Sequence, residues 1–285
     1  MKKYKLNIFL SLAAIIFLSC IGEPTPLQES QTFIQYPLNI GNSWEYQRLV
    51  MFYNFRPDSL HNTFRDTLDF SRIKTTIPGE KDLLGMINTF ILREESIISP
   101  GVGIAGEAYY TQDKNGLFLH AQLGISNALP KKGHPRFRFF GLNFRDIDQL
   151  LTQMHIAQPA SGSAVMDSLY YYSPPLKVLS YPLQQGKSWL YRTGNFSPIT
   201  KQIGKRELIR LPAGNFTADV VHLFYDFDND GIWDPEIDIR DYYSAQGLIK
   251  RSIKLSDIVV TDMNLNEIGL VDYSDVLELQ NYDIP

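Results

Sequence analysis

An eleven-residue motif occurs twice in this chain of 285 residues. Tyr36-Pro-Leu-Asn-Ile-Gly-Asn-Ser-Trp-Glu-Tyr46 returns as Tyr181-Pro-Leu-Gln-Gln-Gly-Lys-Ser-Trp-Leu-Tyr191. Each copy predicts a turn that leads into a strand, because Pro cannot donate to a β-ladder and Gly tolerates positive φ. The Trp and the Tyr that follow are two residues apart and therefore share one strand face. The repeat predicts a duplicated β unit defined by the positions Tyr36, Gly41, Trp44, Tyr46, Tyr181, Gly186, Trp189 and Tyr191.

Short segments of β character fill both halves of the chain, and Pro, Gly, Asn and Asp punctuate them. A second similarity supports the duplication, because Tyr109-Tyr110 before Gly116 is matched by Tyr242-Tyr243 before Gly247. We therefore expect a mainly β fold, with one or more curved antiparallel sheets built from two similar halves. Residues 265–279 are acidic and show no clear period, so no element is predicted there.

One helix stands out between the halves. Ile147, Leu150, Leu151 and Met154 follow the spacing of an amphipathic helix, and Asp146 precedes them where a helix dipole favours an acid. The sequence predicts one or two short helices and five segments. The segments are a signal peptide over 1–20, a flexible tether over 21–35, a first β repeat over 36–130, a connecting region with a short helix over 131–180, and a second β repeat over 181–285. The two repeats can also form one continuous domain.

The first twenty residues predict export and a lipid anchor. Three lysines precede an apolar run, and Ser19 precedes Cys20, the only cysteine of the chain. This pattern resembles the lipobox of bacterial lipoproteins, although Phe17 stands where that pattern usually has Leu. The resemblance implies cleavage before Cys20 and acylation of the cysteine, which would hold the protein at the outer membrane, on its periplasmic face or at the cell surface. The alternative is a plain signal peptide with an unused cysteine.

The charge of the mature chain disfavours nucleic acid as a partner. Without the three lysines of the signal peptide, 24 basic residues face 31 acidic ones, so the net charge is near −7. Phosphate binding depends on a basic face. The expected partners are instead the membrane, through the N-terminal lipid, and a hydrophobic ligand or an envelope protein.

An acidic loop in the second half has the spacing of a calcium site. Carboxylates at alternate positions followed by glycine let one tight loop supply several of the six to eight oxygen ligands that Ca²⁺ prefers. The loop resembles the calcium loops of EF-hand, dockerin and thrombospondin-type repeats, and it has Ile237 at position 12, where the closing carboxylate is expected. The alternative is an acidic hairpin, since Asp, Asn and Gly are good turn formers. The candidate ligands are Asp226, Asp228, Asp230, the carbonyl of Ile232, Asp234, Glu236 and Asp238.

No catalytic constellation is recognisable in the sequence. The five histidines are scattered, there is no G-x-S-x-G motif, and the one cysteine is assigned to the anchor. We therefore expect a protein that is not an enzyme and that has no cofactor other than the candidate Ca²⁺.

The clustered tyrosines leave two interpretations open. They can line a ligand groove, since tyrosine offers an apolar body and a polar tip, or they can pack on the outside of a large sheet. The tyrosines concerned are Tyr109, Tyr110, Tyr170, Tyr171, Tyr172, Tyr242 and Tyr243.

The lipobox, the repeated motif and the turn Leu211-Pro-Ala-Gly-Asn-Phe216 together resemble a group of uncharacterised lipoproteins of Gram-negative bacteria. Some of these are similar to half-barrel lipoprotein carriers, in which a curved sheet cups an acyl chain against a helix. That resemblance implies a membrane-tethered protein that binds a hydrophobic ligand or an envelope partner, with an apolar cavity under the 146–156 helix. The alternative hypothesis is a structural or adhesive surface lipoprotein whose acidic loop is stiffened by calcium.

Overall fold

The computed structural model describes most of the mature chain. The described residues are 34–64, 67–83, 85–97, 103–123, 136–154, 169–193 and 198–285. Residues 34–285 form one compact unit. The signal peptide, the acylation of Cys20 and all but the last residues of the tether were predicted for residues 1–33, which lie outside the described part.

The described residues form fourteen strands and two short helices. The helices are α1 (Asp58–Phe64) and α2 (Ile147–Gln153). The strands are β1 (Ser43–Arg56), β2 (Thr67–Leu83), β3 (Met86–Ile97), β4 (Gly103–Asp113), β5 (Gly116–Leu123), β6 (Arg136–Phe139), β7 (Leu142–Phe144), β8 (Leu169–Ser180), β9 (Ser188–Thr193), β10 (Pro198–Leu211), β11 (Gly214–Phe224), β12 (Ile237–Ser244), β13 (Gly247–Thr261) and β14 (Glu267–Asp283). No helix in this part of the chain is long and apolar enough to cross a bilayer.

All the strands belong to one antiparallel sheet that curves into a nearly closed barrel. The strand order is β8-β5-β4-β3-β2-β1-β14-β13-β12-β11-β10-β9, and the β6–β7 hairpin attaches to the far end of β13. The C-terminal strand β14 pairs with β1 and so joins the first half of the sheet to the second. The predicted fold class, mainly β with a curved antiparallel sheet and short helices, is confirmed.

The barrel closes through side chains rather than through a β-ladder. Its two terminal strands, β8 and β9, follow each other in sequence but are not paired by backbone hydrogen bonds among the described residues. The Trp189 indole N–H donates to the carbonyl of Lys177 at 2.8 Å, and the Lys201 ammonium donates to the carbonyl of Val178 at 3.3 Å. We call this contact between β8 and the β9–β10 hairpin the seam.

Helix α2 packs across one end of the barrel. Asp146 caps the helix, and its carboxylate accepts the backbone N–H of Gln149 at 2.8 Å, which satisfies one free donor of the first turn. Leu150 and Leu151 are buried in an apolar cluster with the inward side chains of β12 and β13. The helix predicted from the spacing of Ile147 to Met154 is therefore present and closes the barrel at this end.

Helix α1 and strand β14 are among the elements that were not predicted. Helix α1 has only seven residues, and the sequence predicted no helix in this part of the chain. Strand β14 lies in the acidic stretch that shows no clear period in the sequence. The period is missing because residues 271–275 are all buried, so buried and exposed positions do not alternate there. Asp272 and Asp275 are accommodated there by Arg56 and Arg48, at 2.8 and 2.7 Å.

The two copies of the repeated motif form turns with the same hydrogen bonds. Gly41 has a φ of 95° and donates to the carbonyl of Ile77 at 2.9 Å, while Gly186 has a φ of 82° and donates to Ile203 at 2.8 Å. In each copy the isoleucine N–H donates in return to the carbonyl of the residue after the glycine. The positive φ explains the glycine in both copies. Descent of the two halves from one ancestral unit stays a prediction.

The tryptophans of the motif both lie in strands, but they differ in burial. Trp44 in β1 is fully buried, and its indole N–H donates to the carbonyl of Gln246 at 2.6 Å. Trp189 in β9 is half-buried at the seam. The leading tyrosines of the two copies contact each other, because the Tyr181 hydroxyl accepts the backbone N–H of Tyr36 at 2.8 Å.

Candidate functional site

The barrel encloses a cavity of about 340 Å³ between its two apolar ends. Leu151 of α2 forms part of the wall, together with aliphatic side chains from β3, β5, β8 and β14. The cavity therefore lies where the 146–156 helix was expected to cover one. It differs from the expected apolar cavity because seven charged side chains also line it, and these are Arg48, Glu94, Arg192, Lys201, Asp241, Arg251 and Asp275.

Arg48 and Asp275 form the first ion pair of the wall. The Nη2 of Arg48 lies 2.7 Å from the Asp275 carboxylate, and its Nε lies 3.0 and 3.1 Å from the two carboxylate oxygens. Burial lowers the pKa of Arg48, but the hydrogen bonds and charge of Asp275 raise it above its usual value. The pair joins the two central strands, β1 and β14.

Arg251, Asp241 and Lys201 form the second charged group. Arg251 donates from Nε and Nη2 to the Asp241 carboxylate at 2.6 and 3.1 Å, and the Lys201 ammonium lies 4.0 Å from the same carboxylate. Burial raises the pKa of Asp241, but the charge and hydrogen bonds of Arg251 outweigh it, so this pKa is lowered. Burial lowers the pKa of Lys201 to about 8, although Asp241 acts in the opposite direction.

Glu94 differs from the other two acids of the cavity because the described part of the chain offers it no ion-pair or hydrogen-bond partner. It lies on the inward face of β3 together with Leu92, so its exposed surface faces the cavity. Among the described residues it makes no hydrogen bond or ion pair. Burial raises the pKa of Glu94, and the nearby charges of Arg251 and Arg48 do not reverse this shift. The cavity therefore contains one carboxyl group that is more easily protonated than usual.

The clustered tyrosines divide between the two interpretations left open by the sequence. Tyr110, Tyr172 and Tyr243 line the cavity, whereas Tyr109 is buried in a separate cluster with Leu83. Tyr242 and Tyr243 are both buried in one core cluster, with a register shift of the ladder between them, and of the two Tyr243 lines the cavity. The repeated motif adds Tyr36, Tyr46 and Tyr191 to the cavity wall.

Sequence reasoning missed the charged residues of the cavity. A signal was present in their spacing, since Arg251 shares its strand face with Ile253 and Leu255, and Glu94 shares one with Leu92. A charged residue that lies two residues from buried apolar residues of the same strand shares their face and therefore indicates a polar site in the interior. The partner strand needed to recognise each pair is far away in sequence, as Arg48 and Asp275 illustrate.

The acidic loop between β11 and β12 brings three of the seven candidate calcium ligands together. Carboxylate oxygens of Asp226, Asp228 and Asp230 lie within 4.8 Å of one another. Asp226 is buried and its oxygens accept the backbone N–H groups of Asp230 and Gly231 at 3.1 and 3.0 Å, which holds the loop in a tight turn. Three converging oxygens fit part of a Ca²⁺ coordination shell.

The other four candidate ligands are placed differently. One oxygen of Asp234 accepts the backbone N–H of Phe227 at 2.8 Å, and Asp238 pairs with Arg240 at 2.7 Å on β12. The backbone carbonyl of Glu236 accepts a hydrogen bond from the backbone N–H of Ser256. The backbone N–H of Ile232 donates to the carboxylate of Asp230. Burial and the nearby charges of Asp228, Glu236 and Asp226 raise the pKa of Asp234, so the loop concentrates negative charge that a cation would neutralise.

Two solved structures are similar to this chain. One is a protein of Bacteroides fragilis provisionally classed as exported, with a YmcC-like fold. It is 11% identical over 88% of this chain and 99% of its own length, with a TM-score of 0.36. The other is a provisionally classed lipoprotein of Parabacteroides distasonis, 11% identical over 87% of this chain and 97% of its own length, with a TM-score of 0.31. No family model matches the chain, and no curated protein matches it either.

Proposed function

We propose that this protein is a lipoprotein of the cell envelope that holds a hydrophobic ligand inside its barrel and does not catalyse a reaction. The observation that carries the proposal is the cavity of about 340 Å³, a volume at the lower end of the range for small-molecule sites. In this proposal the acyl groups on Cys20 tether the barrel to the outer membrane. Two or more acyl chains are enough for stable anchoring of a protein that has no other membrane contact.

The wall of the cavity supports a ligand with an apolar part. Ala108, Leu119 and Leu176 form a buried cluster against which Leu92 and Val178 pack, and all five line the cavity. A single alkyl chain can lie against this surface, where it gains about 0.8 kcal/mol per buried methylene. The resemblance to half-barrel lipoprotein carriers agrees with this assignment.

Filling the cavity is expected to abolish ligand binding. The Ala108→Phe variant places a ring where Ala108 borders the cavity, whereas Thr217→Phe adds the same ring on an exposed position of β11. The full-length lipidated protein, in phosphatidylcholine nanodiscs, is incubated with a photoactivatable fatty acid and then illuminated. The labelled peptides are identified by mass spectrometry. The wild type and Thr217→Phe should be labelled in β3, β5 and β8, and Ala108→Phe should lose this labelling.

Thermal melts of both variants check that they are folded. Labelling confined to peptides that do not line the cavity, or equal interior labelling of both folded variants, would contradict the proposal.

The convergence of Asp226, Asp228 and Asp230 favours a second function for the acidic loop, which is structural binding of Ca²⁺. This function is compatible with the first, and it is also the core of the alternative in which the protein is a structural or adhesive surface lipoprotein. Under that alternative the cavity binds no lipid.

Calcium is expected to stabilise the protein through this loop. A ligand present at 100 times its Kd stabilises the folded state by about 2.7 kcal/mol, so saturating Ca²⁺ should raise Tm and a chelator should reverse the rise. Asp228→Asn and Asp230→Asn together should remove the effect, since both side chains are exposed and each asparagine keeps an amide oxygen that can accept the backbone N–H of the loop. Asp262→Asn is the matched control, because Asp262 organises another exposed turn through Asn264 and Asn266. A calcium effect that persists in the double variant would exclude this site.

A further inference from the structure

We propose that the ligand of the barrel interior carries a single negative charge, and that this charge is a carboxylate held among the arginines of the cavity. The inference rests on the proposed function and specifies its ligand as a single-chain anionic amphiphile. The starting point is the charge of the wall. Four cationic side chains line the cavity, and three carboxylates accompany them, so the described wall is one negative charge short of balance.

Within the described part of the chain, the cation of the wall without a carboxylate of its own is Arg192. Its guanidinium lies over the ring of Tyr172, 5.3 Å from the ring centroid, and it forms no ion pair among the described residues. Lys201 shares Asp241 with Arg251 and is the more distant of the two cations, at 4.0 Å against 2.6 Å. An uncompensated cation in a partly enclosed space favours an anion, because solvent screening is reduced there.

The two paired arginines also retain unused donors. Arg48 and Arg251 each bind their aspartate through Nε and Nη2, which leaves the Nη1 group without a hydrogen-bond partner in the described part of the chain. A guanidinium presents five N–H donors in a fixed plane, so an aspartate on one edge leaves the other edge able to donate. Both arginines line the cavity, and a ligand carboxylate can accept these hydrogen bonds.

Glu94 does not oppose an anionic ligand. Among the described residues it forms no ion pair with either arginine, and burial raises its pKa. Even with Glu94 ionised the wall has four cations against three carboxylates, so an anionic ligand is favoured whichever form Glu94 takes. The rival arrangement is a cationic ligand held by ionised Glu94 and the faces of Tyr46 and Tyr110. The excess of cations in the wall disfavours it.

The size of the cavity restricts the ligand further. A volume of about 340 Å³ accommodates one medium-length alkyl chain with its head group and is too small for a two-chain phospholipid. A free carboxylic acid with a single chain therefore fits both the charge and the space.

Four ligands with the same twelve-carbon chain test the inference. Dodecanoic acid, dodecyl phosphate, dodecanol and dodecylamine compete with the photoactivatable fatty acid for the full-length lipidated protein in phosphatidylcholine nanodiscs. We expect dodecanoic acid to displace the probe at a concentration at least about tenfold lower than dodecanol does, since hydrogen bonds to a charged group contribute about 1.5–3 kcal/mol. Equal competition by the alcohol, or better competition by the amine or the phosphate, would overturn the carboxylate assignment while the proposed function survives. If no ligand competes and the interior is not labelled, the proposed function fails.

Two variants separate the anionic from the cationic arrangement. Arg192→Gln should weaken dodecanoic acid about tenfold and leave dodecanol unchanged, whereas Arg210→Gln, on an exposed position of β10, should change neither. Glu94→Gln should bind dodecanoic acid as well as the wild type or better, because it imitates the protonated side chain. Loss of binding in Glu94→Gln, or an unchanged affinity in folded Arg192→Gln, would contradict the inference.

Discussion

Replacing Trp44 with alanine is expected to lower the free energy of unfolding by about 4 kcal/mol, the typical cost of removing a buried large aromatic side chain. The Trp44 side chain is fully buried, and its ring lies 5.8 Å from that of Tyr36. The substitution leaves a cavity and also leaves the carbonyl of Gln246 without the indole donor at 2.6 Å. Urea denaturation followed by tyrosine fluorescence and circular dichroism measures the change.

The equivalent substitution in the second copy of the motif is the matched comparison. Trp189 is half-buried and its indole donates to Lys177 at 2.8 Å, so Trp189→Ala should cost only about 1–2 kcal/mol. Equal losses for the two variants would show that burial does not distinguish the two copies. A changed m-value would show that the denatured or native state had also changed.

Replacing Arg251 with methionine is expected to destabilise the protein by about 3 kcal/mol. The substitution leaves Asp241, which is 1% exposed, without its hydrogen-bonded cation, and breaking one side of a buried ion pair typically costs about 3–5 kcal/mol. We expect the lower end of this range because Lys201 remains 4.0 Å from the carboxylate. Urea denaturation at neutral pH measures the loss.

A double-mutant cycle separates the pair from its surroundings. Asp241→Asn removes the stranded charge, so the double variant should recover part of the stability lost in Arg251→Met. If Arg251→Met alone costs less than about 1 kcal/mol, the pair is screened as strongly as a surface ion pair.

The contribution of the Arg251–Asp241 pair to stability should also depend on pH. The folded-state pKa of Asp241 is lowered, so its contribution is fully present above its ordinary pKa of about 4 and is lost as the pH falls further. This part of the acid destabilisation should be smaller in Arg251→Met than in the wild type.

The sequence was most informative where structure depends on neighbours along the chain. Asp146 and the apolar spacing of Leu150 and Leu151 identified α2, because a helix is organised by contacts three and four residues apart. The glycines of the repeated motif predicted turns for the same local reason, and Gly41 and Gly186 do have positive φ.

The sequence was least informative where distant strands meet. The acidic run that forms β14 is stable in the middle of the sheet only because Arg48 and Arg56, more than 200 residues away, neutralise Asp275 and Asp272. Likewise, nothing local shows that Glu94 faces Arg251 across the cavity. The interior was therefore expected to be apolar, although its ionisable side chains are visible in the sequence.

The seam has a consequence for the circumference of the barrel. In a barrel closed by a complete ladder, strand number and stagger fix the diameter. Here the last contact of the circumference depends on the side chains of Trp189 and Lys201. Because β8 and β9 are not paired by backbone hydrogen bonds among the described residues, a wider circumference at this place would break these two side-chain hydrogen bonds and no backbone pairing of the sheet.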